Sequence, residues 1–192
     1  MKKNRVVAAA TVAVVIGVAL VVVAANGRDD PEDAGTGAAL VDDGSVPTAG
    51  LTTVRSGEEA WFLAPAPTNR SDAQLSIENV APATASPGFE FVEARIFKRH
   101  TFANGVPIAW DTGSGDALDP TKRPSSPAKG VSLQAGQTLD DVILLHFRVS
   151  TDQRPLEASG VVVGYKQKGR ALKQTLEAVY KIEEPPNSTP SK

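Results

Sequence analysis

Cysteine is absent from the 192-residue sequence, and the only methionine is Met1. The missing thiols exclude disulfide bonds, thiolate nucleophiles, cysteine-ligated zinc, iron–sulfur clusters and a lipid-modified cysteine anchor. Without thiols or an internal thioether, soft ligation of copper(I) is excluded as well. Any folded domain must therefore be held together by its core alone, because no disulfide constrains the unfolded chain.

Histidine is scarce, occurring only at His100 and His146, and no spacing of acids around either one completes a metal site. The formal net charge of −2 gives no polybasic signal for nucleic acid. Asp140 and Asp141 cannot act on one bond, because neighbouring side chains on a strand point to opposite faces. We therefore expect no enzyme activity, no cofactor, no metal and no nucleic-acid partner. We expect His146 on the surface or the second face of a strand.

The longest apolar run extends from Val6 to Ala25, with Thr11 as its single hydroxyl. About 20 residues with a rise of ~1.5 Å each span roughly 30 Å, the thickness of the hydrocarbon core of a bilayer. Three cations in 1–5 precede the run, so the positive-inside rule keeps the N-terminus in the cytoplasm. The sequence predicts a cytoplasmic stub at 1–5, a transmembrane helix at 6–25 and an extracytoplasmic remainder, which together make a single-pass protein of the cell membrane.

Two further interpretations concern the same segment. Cleavage of a signal peptide near Ala25 would release a secreted domain, although the apolar core of such peptides is usually about 7–15 residues long. Ala9, Ala13 and Gly17 repeat every four residues, and this small-residue stripe would let two helices pack as a homodimer. The alternative is that alanine and glycine simply dilute a valine-rich span.

Residues 26–50 contain no aromatic side chain and are rich in glycine, aspartate, alanine, proline and threonine. Six acids outnumber Arg28 there, so we expect an acidic, flexible linker. The tail at 183–192 has a similar composition, and we expect it to be disordered. A folded domain remains at 51–182.

Residues 51–182 alternate between apolar and polar side chains with a period of two, which is typical of half-buried antiparallel strands. Lys168-Gly169 predicts a hairpin turn before the last strand. A change of parity after Phe91 indicates a bulge or cover on both faces. The candidate strands are 51–55, 59–64, 74–79, 88–99, 106–110, 130–134, 145–149, 160–167 and 170–182.

Seven to nine short strands without helical segments favour an antiparallel β-sandwich. The expected core comprises Trp61, Leu63, Leu75, Ile77, Phe91, Ile96, Leu133, Ile143, Leu145, Phe147, Val161, Val163, Leu176 and Tyr180.

The end of this domain resembles a known class of fold. Leu133-Gln134-Ala135-Gly136, the strand through Val149, Gly160–Tyr165 and the closing hairpin resemble the last strands of immunoglobulin-like extracytoplasmic domains. The composition, rich in alanine, valine, glycine and aspartate, resembles that of small single-pass membrane proteins of actinobacteria. The resemblance implies an immunoglobulin-like fold for 51–182 and assigns no functional residue.

Two basic clusters are candidates for a patch that binds an anionic partner. They comprise Arg95, Lys98, Arg99 and His100, and Lys166, Lys168, Arg170 and Lys173. Either cluster would suit an anionic cell-wall polymer or lipid headgroups. Alternatively, the cations keep an exposed face soluble and protect a strand edge.

Residues 111–129 form the longest irregular stretch, for which we expect a flexible surface loop or a partner contact. Because no catalytic constellation is recognisable, the sequence favours a membrane-tethered, non-catalytic module that binds an envelope protein or a cell-wall component. One alternative is an accessory subunit of a transporter, secretion or signalling complex that contacts its partner through the transmembrane helix. The other is an envelope hydrolase.

Overall fold

A computed structural model describes residues 34–42, 47–102, 105–114 and 118–184. Within these ranges the secondary structure consists of β-strands and short 3-10 helices, so the all-β prediction for the domain is confirmed. The strands are β1 (Gly35–Thr36), β2 (Leu40–Val41), β3 (Thr48–Leu51), β4 (Glu59–Leu63), β5 (Thr68–Asn69), β6 (Leu75–Ala85), β7 (Phe89–Phe97), β8 (Ala109–Asp111), β9 (Ser125–Pro127), β10 (Ser132–Leu133), β11 (Val142–Val149), β12 (Leu156–Gln167) and β13 (Arg170–Ile182). The 3-10 helices are Arg99–Thr101 and Pro120–Lys122.

The strands form two large sheets and one small pair. Sheet I has the order β1–β13–β12–β6–β10, and β3 also pairs with β13. Sheet II has the order β8–β4–β11–β7–β9, while β2 and β5 pair separately. One apolar face of each large sheet packs against the other sheet, which makes the arrangement sandwich-like.

The main core lies between these two faces and is rich in aromatic rings. Phe89 and Phe147 stack with their ring centroids 4.3 Å apart, and Phe62 meets Phe147 edge-on at 5.9 Å. Most of the predicted core is confirmed, with Phe91 only partly buried against it. The confirmed residues are Leu75, Ile77, Ile96, Leu133, Ile143, Leu145, Phe147, Val161, Val163, Leu176 and Tyr180.

The prediction for β4 is wrong about which face points inward. Phe62 lies in the main core, whereas Trp61 and Leu63 lie on the outer face of sheet II. β4 is paired on both edges, with β8 and β11. The main core covers one face of β4, and a second apolar cluster covers the other. A strand covered on both faces has a continuous apolar sequence, so the alternation of apolar and polar side chains could not identify its inner face.

Two local predictions are confirmed. The register between β11 and β7 shifts at His146/Phe147, which leaves Val92 as the extra residue of a bulge, 40% exposed. In the hairpin of β12 and β13, Lys168 and Gly169 have φ angles of 48° and 77°. Positive φ at both central positions is the signature of a type I′ turn.

The predicted flexible linker is partly folded, so that prediction is wrong for residues 34–42 and 47–50. β1 and β3 pair in parallel with β13. Leu40 is fully buried, and its N–H donates to the side-chain carbonyl of Gln174 at 2.9 Å. At Gly37 a Cβ would lie 2.0 Å from the hydroxyl of Tyr165, so only glycine allows this close approach.

Several predictions fall on residues that the structure does not describe. These are the stub at 1–5, the helix at 6–25 with its stripe of Ala9, Ala13 and Gly17, the start of the linker, and the tail from 185 onward. In the described ranges, no helix is long and apolar enough to cross a bilayer.

Candidate functional site

A row of large side chains crosses the outer face of sheet II. The strand register places Trp110 of β8 opposite Trp61 of β4, Trp61 opposite His146 of β11, and His146 opposite Glu93 of β7. Four neighbouring strands therefore bring two indoles, an imidazole and a carboxylate side by side.

His146 lies at the centre of this row. Its ring stacks on Trp61 at a centroid distance of 4.1 Å and an interplanar angle of 3°. Nε2 lies 3.2 Å from a carboxylate oxygen of Glu59, and Nδ1 lies 4.0 Å from one of Glu93. The residue is on the second face of the strand, as predicted, but it is only 7% exposed because Trp61 covers the ring.

The electrostatics of His146 are dominated by its burial. Burial lowers the pKa of the imidazole below its usual value, and Glu59 and Glu93 oppose this by favouring the charged form. The 3.2 Å contact with Glu59 is within ion-pair distance, yet neither ring nitrogen makes a hydrogen bond of acceptable geometry. We therefore treat the contact as electrostatic and the ring as neutral near pH 7.

The geometry of this cluster is better suited to holding neighbouring strands together than to binding a metal ion. The two carboxylates approach opposite nitrogens of one ring, so they cannot converge on a single ion with His146. Across the described part of the chain, no three His, Asp or Glu side chains are placed to share a metal. The cluster links β4, β11 and β7 through a buried ring.

A second apolar cluster covers the neighbouring part of the outer face, and we call it the cap. It is built from β4, β7, β8 and β11 together with the segments at 98–102, 105–114 and 118–124. Arg123 lies over the ring of Phe102, 4.6 Å from its centroid. The apolar members of the cap are Trp61, Leu63, Phe97, Phe102, Val106, Trp110, Leu118, Val142 and Leu144.

Short polar contacts order the described parts of 111–129, where we expected a flexible loop or a partner contact. Asp111 accepts hydrogen bonds from the N–H of Gly113 at 3.0 Å and the hydroxyl of Ser114 at 2.8 Å. Asp119 accepts from the N–H of Thr121 at 2.9 Å. Such Asp turns replace the pairing that a strand or helix would provide.

A cleft of about 230 Å³ borders the cap. Its walls include Pro47, Leu63 and Val106, and Arg99 and Asp141 are among its charged lining residues. The cleft therefore combines an apolar lining with one charge of each sign.

The first predicted basic cluster is engaged by the protein itself. Arg95 donates to the hydroxyl of Ser125 at 2.8 Å and to Glu93 at 3.1 Å. Lys98 donates to Asp141 at 2.7 Å. Arg99 donates to the carbonyl of Asp140 at 3.1 Å, and His100 is exposed beside it.

The second predicted cluster lies on sheet I, so the eight residues of the two clusters do not form one patch. Lys166 is 3.7 Å from Glu78, and Lys168 is 3.0 Å from Asp72. Arg170 and Lys173 are exposed, and neither forms an ion pair with an acid in the described ranges.

Sequence reasoning missed the cap and the two glutamates beside His146. One signal was present: Val142–Leu145 is apolar without interruption, which indicates a strand covered on both faces. The glutamates gave no such signal, because their proximity to His146 depends on the pairing of three strands.

No protein-family model matches the chain, and no curated protein matches it. Among solved structures, it is similar to the VesB protease of Vibrio cholerae, with 12% identity and a TM-score of 0.36. The match covers 76% of this chain but only 32% of that one, so the chain spans about a third of its length. A likeness of this degree carries no argument about fold or activity.

Proposed function

We propose that the chain is a membrane-tethered, non-catalytic interaction module. Its domain works outside the membrane and binds an envelope protein or a cell-wall component. The observation that carries this proposal is the cap, a second apolar cluster on the outer face of sheet II with a cleft beside it.

The free-energy cost of ordering the loops of the cap favours a binding role for them. Fixing a residue of a loop costs roughly 1–2 kcal/mol of backbone entropy. The loop residues Phe102, Val106 and Leu118 belong to the cap and not to the main core. Long ordered loops on a rigid scaffold commonly carry binding residues. Ile108, 60% exposed, immediately precedes β8, whose Trp110 belongs to the cap, and a partner would bury this isoleucine.

The hydrolase alternative is weaker on geometric grounds. A general base needs a ring nitrogen within reach of the proton that it takes from the substrate or nucleophile. His146 is buried against Trp61, and each of its nitrogens faces a carboxylate. The accessory-subunit alternative depends on the helix at 6–25 and is distinguished by exchanging that helix for an unrelated span.

We also propose an immunoglobulin-like topology for the sandwich. In that fold one sheet contains strands B, E and D as neighbours and the other contains C, F and G. The neighbours β4–β11–β7 and β6–β12–β13 have the matching chain order, which supports the assignment.

Site-specific photo-crosslinking in intact cells tests the proposed contact surface. A photoreactive residue at Ile108 should give a discrete adduct with an envelope component. The matched position is Thr175, which is exposed on the outer face of sheet I and should give none. Equal adducts from both positions, or none from Ile108, would contradict binding through the cap.

A further inference from the structure

We propose that the end of the domain formed by the β12–β13 hairpin binds anionic phospholipid headgroups and so sets the orientation of the domain on its membrane. The inference rests on the proposed membrane tether and adds which surface faces the bilayer.

The first support is the position of β1 beside the β12–β13 hairpin. β1 pairs in parallel with β13, with Gly35 opposite Leu172 and Thr36 opposite Lys173. The N–H of Gly37 also donates to the carbonyl of Lys173 at 2.8 Å. The first residues that the structure describes therefore lie beside the hairpin turn and not at the far end of the sandwich.

The second support is the length of chain between this entry point and the predicted helix. Only residues 26–34 separate Ala25 from β1, and nine residues reach about 30 Å when fully extended. β12 alone is about 36 Å long at ~3.3 Å per residue, so the hairpin end is kept close to the bilayer and the opposite end can stay away from it.

The third support is the charge of this end. Gln167, at the base of the hairpin, donates to Ser71 at 2.6 Å, which brings the turn at 70–73 alongside. All the cations of this surface are exposed, and they outnumber its acids by five to two, a net charge of +3. We call this surface the basic end; its cations are Arg70, Lys166, Lys168, Arg170 and Lys173, and its acids are Asp72 and Glu78.

Lysine and arginine are attracted to anionic headgroups only within about one Debye length, ~8 Å at physiological salt. Arg170 and Lys173 are exposed without a described acidic partner, so they can meet a headgroup without first breaking an ion pair. The competing anion is the acidic segment at 28–33, which carries Asp29, Asp30, Glu32 and Asp33 close to β1 in sequence. The experiment must separate lipid from this segment.

The absence of native cysteine makes a single-cysteine label straightforward. Full-length chain carrying Ala171→Cys, with a fluorophore at this exposed hairpin position, is reconstituted in nanodiscs with a headgroup-attached quencher. We expect quenching at least about twofold stronger in discs with phosphatidylglycerol than in purely zwitterionic discs, and weaker quenching at high salt. A label at exposed Gln153, at the opposite end, should respond to neither change.

Matched charge variants identify the responsible surface. Arg170→Gln with Lys173→Gln should clearly weaken the dependence on anionic lipid, whereas Lys98→Gln with Arg99→Gln, in the segment that follows β7, should preserve it. Equal quenching of the Ala171 label in both kinds of disc overturns the inference. A second contrary result is quenching that is independent of lipid charge but changes with Asp29→Asn and Asp30→Asn. That result would show that the basic end binds the acidic segment, and it also overturns the inference. Chain that does not co-purify with discs contradicts the membrane tether itself.

Discussion

At the residue scale, Asn69 links several segments of the fold, and no sequence pattern around it indicates this role. The residue is fully buried, and its side-chain N–H groups donate to the carbonyls of Ala73, Leu133 and Gln134 at 2.8, 3.1 and 3.0 Å. Its side-chain oxygen accepts from the N–H and the hydroxyl of Ser71. One amide therefore joins β5, the turn after it and the end of β10.

Asn69→Ala should lower the free energy of unfolding by about 3 kcal/mol, because buried carbonyls lose their donors. The measurement is chemical denaturation of the detergent-solubilised chain, followed by the fluorescence of Trp61 and Trp110. Asn79→Ala, at an exposed position of β6, is the control and should change stability by less than about 0.5 kcal/mol. Similar losses in both variants would contradict the role assigned to Asn69.

His146 gives a prediction for the dependence of stability on pH. Because burial lowers its pKa, the folded chain binds this proton less readily than the unfolded chain. Stability should be complete above the unfolded pKa of about 6.5 and should be lost as the pH falls through that value toward the folded pKa. One proton contributes a slope of at most about 1.4 kcal/mol per pH unit.

His146→Gln should flatten this slope between about pH 7 and pH 5, which denaturation at a series of pH values measures. His100→Gln, at an exposed site, is the matched control and should keep the slope of the natural chain. An unchanged slope in the His146 variant would show that another group causes the loss.

At the element scale, β2 provides the clearest test of the folded part of the linker. Leu40 is fully buried in the main core, and β2 pairs with β5. Leu40→Ala should cost about 2–4 kcal/mol of unfolding free energy, as truncations of buried leucine do. Its neighbour Val41 is only partly buried, so Val41→Ala should cost clearly less. A flexible linker would tolerate both changes equally.

Elements with a clean alternation were predictable, and those that depend on distant partners were not. Residues 170–182 and the turn at Lys168-Gly169 carry local signals that fix strand and hairpin together. The strands at 35–36 and 40–41 are only two residues long and lie among acids and glycines, so they leave no periodic signal. They form because β13 and β5 offer free edges, which a local pattern does not reveal.

The candidate site was less predictable than the fold for the same reason. The apolar run at Val142–Leu145 could have indicated cover on both faces of β11. The placement of Glu59 and Glu93 beside His146 needs the registers of β4 and β7 against β11, which are set by packing across the whole sheet.

At the scale of the whole molecule, the two ends and faces of the sandwich have different proposed tasks. The hairpin end carries the entering chain and five cations, while the outer face of sheet II carries the cap and its cleft. If the domain rests on its basic end, the far end of the sandwich points away from the bilayer. The proposed binding surface then remains accessible from the side.

The most direct measurement of the central claim is the location of the domain relative to the membrane. Full-length chain with Gln153→Cys is expressed in cells and treated with a membrane-impermeant thiol reagent, before and after permeabilisation. We predict that the chain sediments with membranes, is released only by detergent and is fully labelled in intact cells. A chain that is soluble without detergent, or one labelled only after permeabilisation, would contradict the account.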